Sequence, residues 1–204
     1  MALRHAVLAA LIHGEASGYE LAKRFDVGVA NFWESKPQQL YVELSRLHGE
    51  GLVGATEVVQ QTRPTKRVYS LTPLGIAALA EFAAGSMRPT TLRDDLTVAV
   101  QCADVVEPTA LIEHLSRRAE EARGKLERLR RTEKEILSGR TEADFVRTTK
   151  HLGPYLTCRR GIQHETDTER WCEWAVNLLR TRAEHTGSTQ GASSSDGVRR
   201  CQGP

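Results

Sequence analysis

Between residues 37 and 84 the apolar residues change period twice, from helical to alternating and back, and few folds accommodate that in so short a stretch. Leu40, Leu44 and Leu47 step by four and three, which predicts a helix with one buried side, and Gly49 to Gly51 end it. GLVGATEVVQQ is then rich in Val and Thr, RPT supplies a turn, and KRVYSL alternates, so the pair reads as a β-hairpin. Thr72 and Pro73 open a further helix over TPLGIAALAEFAAG.

Two shorter helices precede this block. Leu3, Ala6, Val7, Ala10 and Leu11 form an apolar stripe that Gly14 ends. Ser17 and Glu20 stand three apart as a capping box, with Leu21, Ala22 and Phe25 facing inward. The third helix repeats the device, with Ser35 as cap, Pro37 in the first turn and Gln38 closing the box. Three helices, a two-stranded hairpin and a return helix over residues 1–85 describe a winged helix-turn-helix. Tyr19 and Trp33 are expected to pack within it. The fold class expected is mainly α: a winged helix-turn-helix with a two-stranded β wing, followed by a C-terminal α-helical dimerisation domain over residues 86–182.

In that second half MRPTTLRDD reads as a joint, LTVAVQCADVV as a helix, and Pro108 opens a long helix to about Leu137. Leu115, Ala119, Ala122, Leu126, Leu129, Glu133 and Ile136 step by four and three, a seam for a partner helix, expected to pair two chains. The stretch from Ser138 to Glu165 looks looser. Thr166 with Glu169 is read as the start of a last helix, on which Trp171, Trp174, Ala175, Leu178 and Arg182 share a face. Trp171 and Trp174 are candidate walls of an aromatic effector pocket, against the plainer reading as core. Residues 183–204 are Gly and Ser rich and expected to be disordered.

Charge sets limits on the partner. With 28 Lys and Arg against 26 Asp and Glu the net charge is only +2, so affinity for a polyanion has to be local. Residues 1–85 carry eight residues of each sign. No run approaches a membrane helix and the first residues do not form a signal peptide, so the chain is expected to be cytoplasmic, without a membrane partner. Cys102, Cys158, Cys172 and Cys201 include no CxxC pair. His151, Cys158, His164 and Cys172 match no common zinc spacing, so no metal or other cofactor is expected. A nucleophile with a glycine-rich elbow or a phosphate loop is also missing, which argues against an enzyme.

Local charge sits in two places. The third helix begins with Lys36 where its N-terminal dipole ordinarily favours an acid, and then offers Gln38, Gln39, Tyr41, Glu43, Ser45 and Arg46. Those groups suit a phosphate at the helix end and base edges along the first turns of a double-stranded DNA major groove. The hairpin tip adds Arg63, Lys66 and Arg67, and no acid occurs between Glu57 and Glu81. Ser35, Lys36, Gln38, Gln39, Tyr41, Arg46, Arg63, Lys66 and Arg67 are therefore the candidate DNA contacts.

GYELAKRF, FWESKPQQLYVELSRLHGEGLV and QQTRPTKRVYSLTPLG together resemble the PadR family of bacterial transcriptional regulators over about residues 3–85. The resemblance implies a homodimeric winged-helix repressor of a palindromic operator, released by a small-molecule effector. It places Gln39 and Tyr41 on the recognition helix and Lys66 and Arg67 in the wing. Pro37, Gln38 and Val42 depart from the family pattern, which bears on the operator sequence. The second half is similar in layout to the longer dimerisation domain of one PadR branch. The competing class is a protein-interaction adaptor built on a winged helix and a coiled-coil hub.

Overall fold

A computed structural model describes residues 2–25, 36–59, 65–87, 89, 91 and 93–192. Ser35, Arg63 and Trp33 lie outside the described residues. The chain forms two compact units, Met1–Thr90 with Glu127–Gln163 and Thr91–Leu126 with His164–Pro204. Two long helices run through both units, and a continuous apolar stripe carries no mark of where one unit ends.

The first unit opens with α1 (Ala2–Ala10), which turns Val7 and Leu8 into the core, and the chain reverses at Gly14 with φ +125°. β1 (Ala16–Ser17) runs directly into α2 (Gly18–Arg24). The expected capping box is present: the Ser17 N–H donates to Glu20 Oε2 at 2.8 Å, and the Glu20 N–H donates to Ser17 Oγ at 3.3 Å. α3 (Pro37–Gly49), β2 (Val53–Val58), β3 (Lys66–Leu71) and α4 (Pro73–Ala84) follow in the expected order. Gly51, at φ +74°, takes the left-handed position after α3, and the Leu52 N–H then reaches back to the Leu47 carbonyl at 2.9 Å. β2 and β3 pair antiparallel from Val53 opposite Leu71 to Val58 opposite Lys66. The sheet has three strands, in the order β1-β3-β2, where the sequence showed two. β1 is two residues long, too short for alternation to register. Leu8, Leu21, Phe25, Leu40, Leu44, Leu47 and Val53 close one core around these elements.

The same unit takes in α7 (Glu142–Thr148), inside the stretch expected to be loose. Thr141 caps it by accepting the Asp144 N–H at 3.1 Å, and Phe145 is buried against the Tyr155 ring. α8 (Leu152–Ala192) is one helix of 41 residues, so Thr166 and Glu169 lie within it and do not start it. Pro154 falls in the first turn, where its missing N–H costs nothing, and Gly161 is absorbed by the length of helix around it. The helix also covers residues 183–192, where disorder was expected.

In the second unit α5 (Asp95–Gln101) precedes α6 (Pro108–Leu137), whose bounds match the sequence reading. The residues of its expected seam are covered within the chain. Leu111, Leu115 and Ala119 pack against Cys172, Ala175, Val176 and Leu179 of the same chain's α8. Ala122, Leu126 and Leu129 are likewise buried within the single chain, and Ile136 is half-buried. Glu133, the polar break in the stripe, meets Arg159 of α8 at 2.8 Å within the first unit. A heptad-like seam specifies a partner helix without saying which chain provides it. The two tryptophans also part: Trp171 packs against the α6–α8 core, whereas Trp174 is 58% exposed. Among the described residues no helix is long and apolar enough to cross a membrane.

Candidate nucleic-acid interface

α3 is held by three leucines: Leu40, Leu44 and Leu47 are each at most 2% exposed. Burying them fixes the helix's rotation and leaves Lys36, Gln38, Gln39, Tyr41, Val42, Ser45 and Arg46 on the surface. Gln38, Tyr41, Val42 and Ser45 follow the i, i+3, i+4, i+7 rule and so form a single outward stripe. Lys36 is the N-cap, with extended backbone at φ −72° and ψ 143°, and Pro37 opens the first turn. The cap differs from the one expected. Gln39 Oε1, three residues on, accepts the Lys36 N–H at 3.0 Å, so Gln39 serves its own helix and Gln38 is the glutamine on the outward stripe.

The other candidates divide in the same way. The Tyr41 ring lies on Gly18 at the start of α2, so closely that a Cβ there would come within 2.2 Å of Cε1, yet the side chain stays 47% exposed. Arg46 Nε donates to Glu50 Oε1 at 3.0 Å, and Glu50 also binds Arg4, which together hold the Glu50 carboxyl below its ordinary range. Lys66 is paired with Glu20 of α2, at 2.7 Å, on a partly exposed surface. Arg67 is exposed, with its guanidinium 5.7 Å from the Tyr69 ring centroid and Glu57 opposite it in the strand register. An exposed polar stripe on a rigid helix, third in a winged helix-turn-helix, has the shape of a major-groove reading head.

Comparison with known proteins decides the family. Residues 7–81 match the model of the transcriptional regulator PadR-like family, and residues 92–180 match the virulence activator alpha C-terminal model. The chain is 32% identical over 192 residues to "Probable transcriptional regulator Rv1176c" of Mycobacterium tuberculosis, covering 89% of this chain and 100% of that one. It belongs to the PadR-like family of transcriptional regulators. "Negative transcriptional regulator PadR" of Bacillus subtilis is 24% identical, over 87% of this chain and 97% of its own. The crystal structure of Bacillus subtilis PadR in complex with operator DNA shares the fold with a TM-score of 0.71 at 22% identity, covering 88% of this chain and 99% of that one. That protein's structure in complex with p-coumaric acid has a TM-score of 0.65 at 22% identity, over 88% of this chain and 99% of that one.

In this PadR-like chain two exposed groups escaped the sequence reading. Tyr19, expected in the core, is 67% exposed, with the Lys23 ammonium 5.7 Å from its ring centroid. The helical period could have placed it, because Leu21 and Phe25 set the inward side of α2 and Tyr19 falls off that stripe. Val42, also 67% exposed, offers a methyl-sized apolar contact in the outward stripe of α3.

The Glu20–Lys66 pair makes a prediction about acid stability. Lys66, then the Ser17 backbone N–H and hydroxyl, hold the Glu20 carboxyl down to about 2, from 4.5. A carboxyl depressed in the folded state adds stability above its unfolded value and loses it as pH falls toward its folded value. Lys66→Met should therefore flatten the fall in melting temperature between about pH 4.5 and 2. The pair is partly solvated, so the difference from the parent will be modest. Identical acid profiles by circular dichroism melting would remove Lys66 from that role.

Proposed function

We propose that this chain is a homodimeric DNA-binding repressor of the PadR type, acting in the cytoplasm on a palindromic double-stranded operator and released by a small-molecule effector. The outward stripe of α3, rigidly backed by Leu40, Leu44 and Leu47, is the observation that carries it. Gln38 reads a base edge, Tyr41 and Val42 flank it, and Lys36 meets a phosphate at the helix end. Ser35, Arg46, Arg63 and Arg67 add backbone contacts, as does Tyr19 from α2. Gln39 and Lys66 support the head from behind. The Bacillus subtilis relative's complexes with operator DNA and with p-coumaric acid support the operator and effector parts of this reading.

A palindromic site needs two heads about 34 Å apart, or a bent duplex. Because the α6 seam is filled from within the chain, we assign the second copy to another face. Trp174 and Leu178, 58% and 51% exposed and one turn apart on α8, provide apolar area for it.

Genomic fragments retained by the purified protein would supply the operator, and fluorescence anisotropy on that duplex then tests the roles. Gln38→Ala should lose about 1–3 kcal/mol of discrimination at one base position. Lys36→Ala should weaken all sequences alike and lower the salt slope by about one phosphate contact for each head. The assignment fails if both variants bind and discriminate as the parent does.

A further inference from the structure

We propose that the contact between His13 and His151 is a proton-sensitive latch, which ties the winged helix to the corner before α8 while at most one of the two rings is charged and opens when both are. The two residues lie 138 positions apart in sequence but in the same unit, and their Nδ1 atoms stand 3.0 Å apart with the rings edge to face at 89°. Among the described residues no other side-chain hydrogen bond or ion pair joins residues 2–87 to residues 127–163, and the buried cluster of the winged helix takes no residue from that stretch. The pair is therefore the polar joint of the first unit.

Both ends of the joint are held in place. His13 sits in the turn after α1, where the Gly14 N–H donates to the Leu11 carbonyl at 3.2 Å and Arg24 of α2 donates to the Gly14 and Glu15 carbonyls at 2.8 Å. The His151 N–H donates to Thr149 Oγ1 at 3.0 Å, just ahead of α8. A hydrogen bond between two Nδ1 atoms needs a proton on one and a lone pair on the other. A neutral pair meets that condition, and so does a pair with a single charge. Two imidazolium rings set N–H against N–H and bring two like charges into contact. The surroundings oppose the second proton as well: Arg24 faces His13 from α2, and Lys150 precedes His151. Glu15 is the acid nearest the pair in sequence, and it is not among the groups that shift His13. Burial, then His151, then Arg24 hold His13 below its ordinary value of 6.5. A histidine depressed in the folded state adds stability above its unfolded value and loses it as pH falls below that value. The latch is thus closed above about pH 6.5 and opens below it, which releases the winged helix, with α3, from the α8 corner. A looser head should bind an operator less well, an extension that rests on the repressor reading.

Nuclear magnetic resonance of the full chain tests the latch without DNA. Through-space cross-peaks between the His13 and His151 rings should be present at about pH 8 and lost by about pH 5, the range over which histidines charge. His151→Gln keeps a hydrogen-bonding side chain but cannot charge. In that variant the His13 titration should move up toward the ordinary histidine value, while the melting temperature at neutral pH stays close to the parent's. Cross-peaks that persist in acid, or a His13 titration identical in the parent and in His151→Gln, would overturn the proposal. Anisotropy on the operator, run separately over the same pH range, keeps the two readings apart. Affinity should fall severalfold further in the parent than in His151→Gln, and an equal fall in both removes the extension to the operator. A pair that titrates as expected in a chain that binds no DNA refutes the repressor reading alone.

Discussion

Leu115→Ala should lower the unfolding free energy by about 2–5 kcal/mol, the range for a leucine truncated in a closed core. Leu115 is fully buried within one chain, against Cys172, Ala175 and Val176 of α8. The loss therefore belongs to the fold of each chain and not to the contact between two. Melts over a roughly hundredfold range of protein concentration should show the same shift from the parent at every point, since an effect on association alone would scale with concentration. Sedimentation should show an unchanged dimer dissociation constant for whatever variant remains folded. A shift that vanishes at high concentration would return α6 to the dimer interface. Trp174→Ala makes the complementary case: it removes an exposed ring, so the chain's own stability should move little while the dimer weakens.

Gly75→Ala is the second large effect, at about 1–3 kcal/mol or more. Gly75 sits in the first turn of α4, and a Cβ there would lie 2.2 Å from the Leu52 carbonyl oxygen. That oxygen accepts the Thr72 N–H at 3.2 Å and the Thr72 hydroxyl at 3.0 Å, so moving it disturbs the junction where α3, the hairpin and α4 meet. The obstacle is backbone and cannot rotate away. Operator affinity should fall with stability if α3 is the reading helix proposed above, because α3 is anchored at this junction. Gly49→Ala is the control: nothing lies within 4 Å of its added Cβ, so that change should be neutral or stabilise the helix by up to about 1 kcal/mol. Equal melting temperatures for the two variants would show that the close approach is relieved at no cost.

The winged helix was legible because its signals are local. Ser17 with Glu20, Pro37, Gly51 and Thr72 with Pro73 set element ends through contacts a few residues long, and all recur in the structure. The exposed face of α3 was half legible. Periodicity separates Leu40, Leu44 and Leu47 from the outward residues, but it treats Gln38 and Gln39 alike. Only the cap hydrogen bond from Lys36 to Gln39 separates them. Lys66 shows the same limit: a basic residue near a hairpin tip looks available until α2 brings Glu20 to it across 46 positions of sequence.

The amino-acid order by itself determined the elements of the winged helix, the bounds of α6, the family and the buried sides of α1, α3 and α6, because each follows from the period of apolar residues and from the chemistry of neighbouring backbone groups. The tertiary structure alone decided what covers each buried side and which polar groups are already engaged. The α6 seam illustrates the reason: burial rewards any apolar surface that arrives, so a stripe states its need for a partner, and only the path of the chain shows that α8 meets it first.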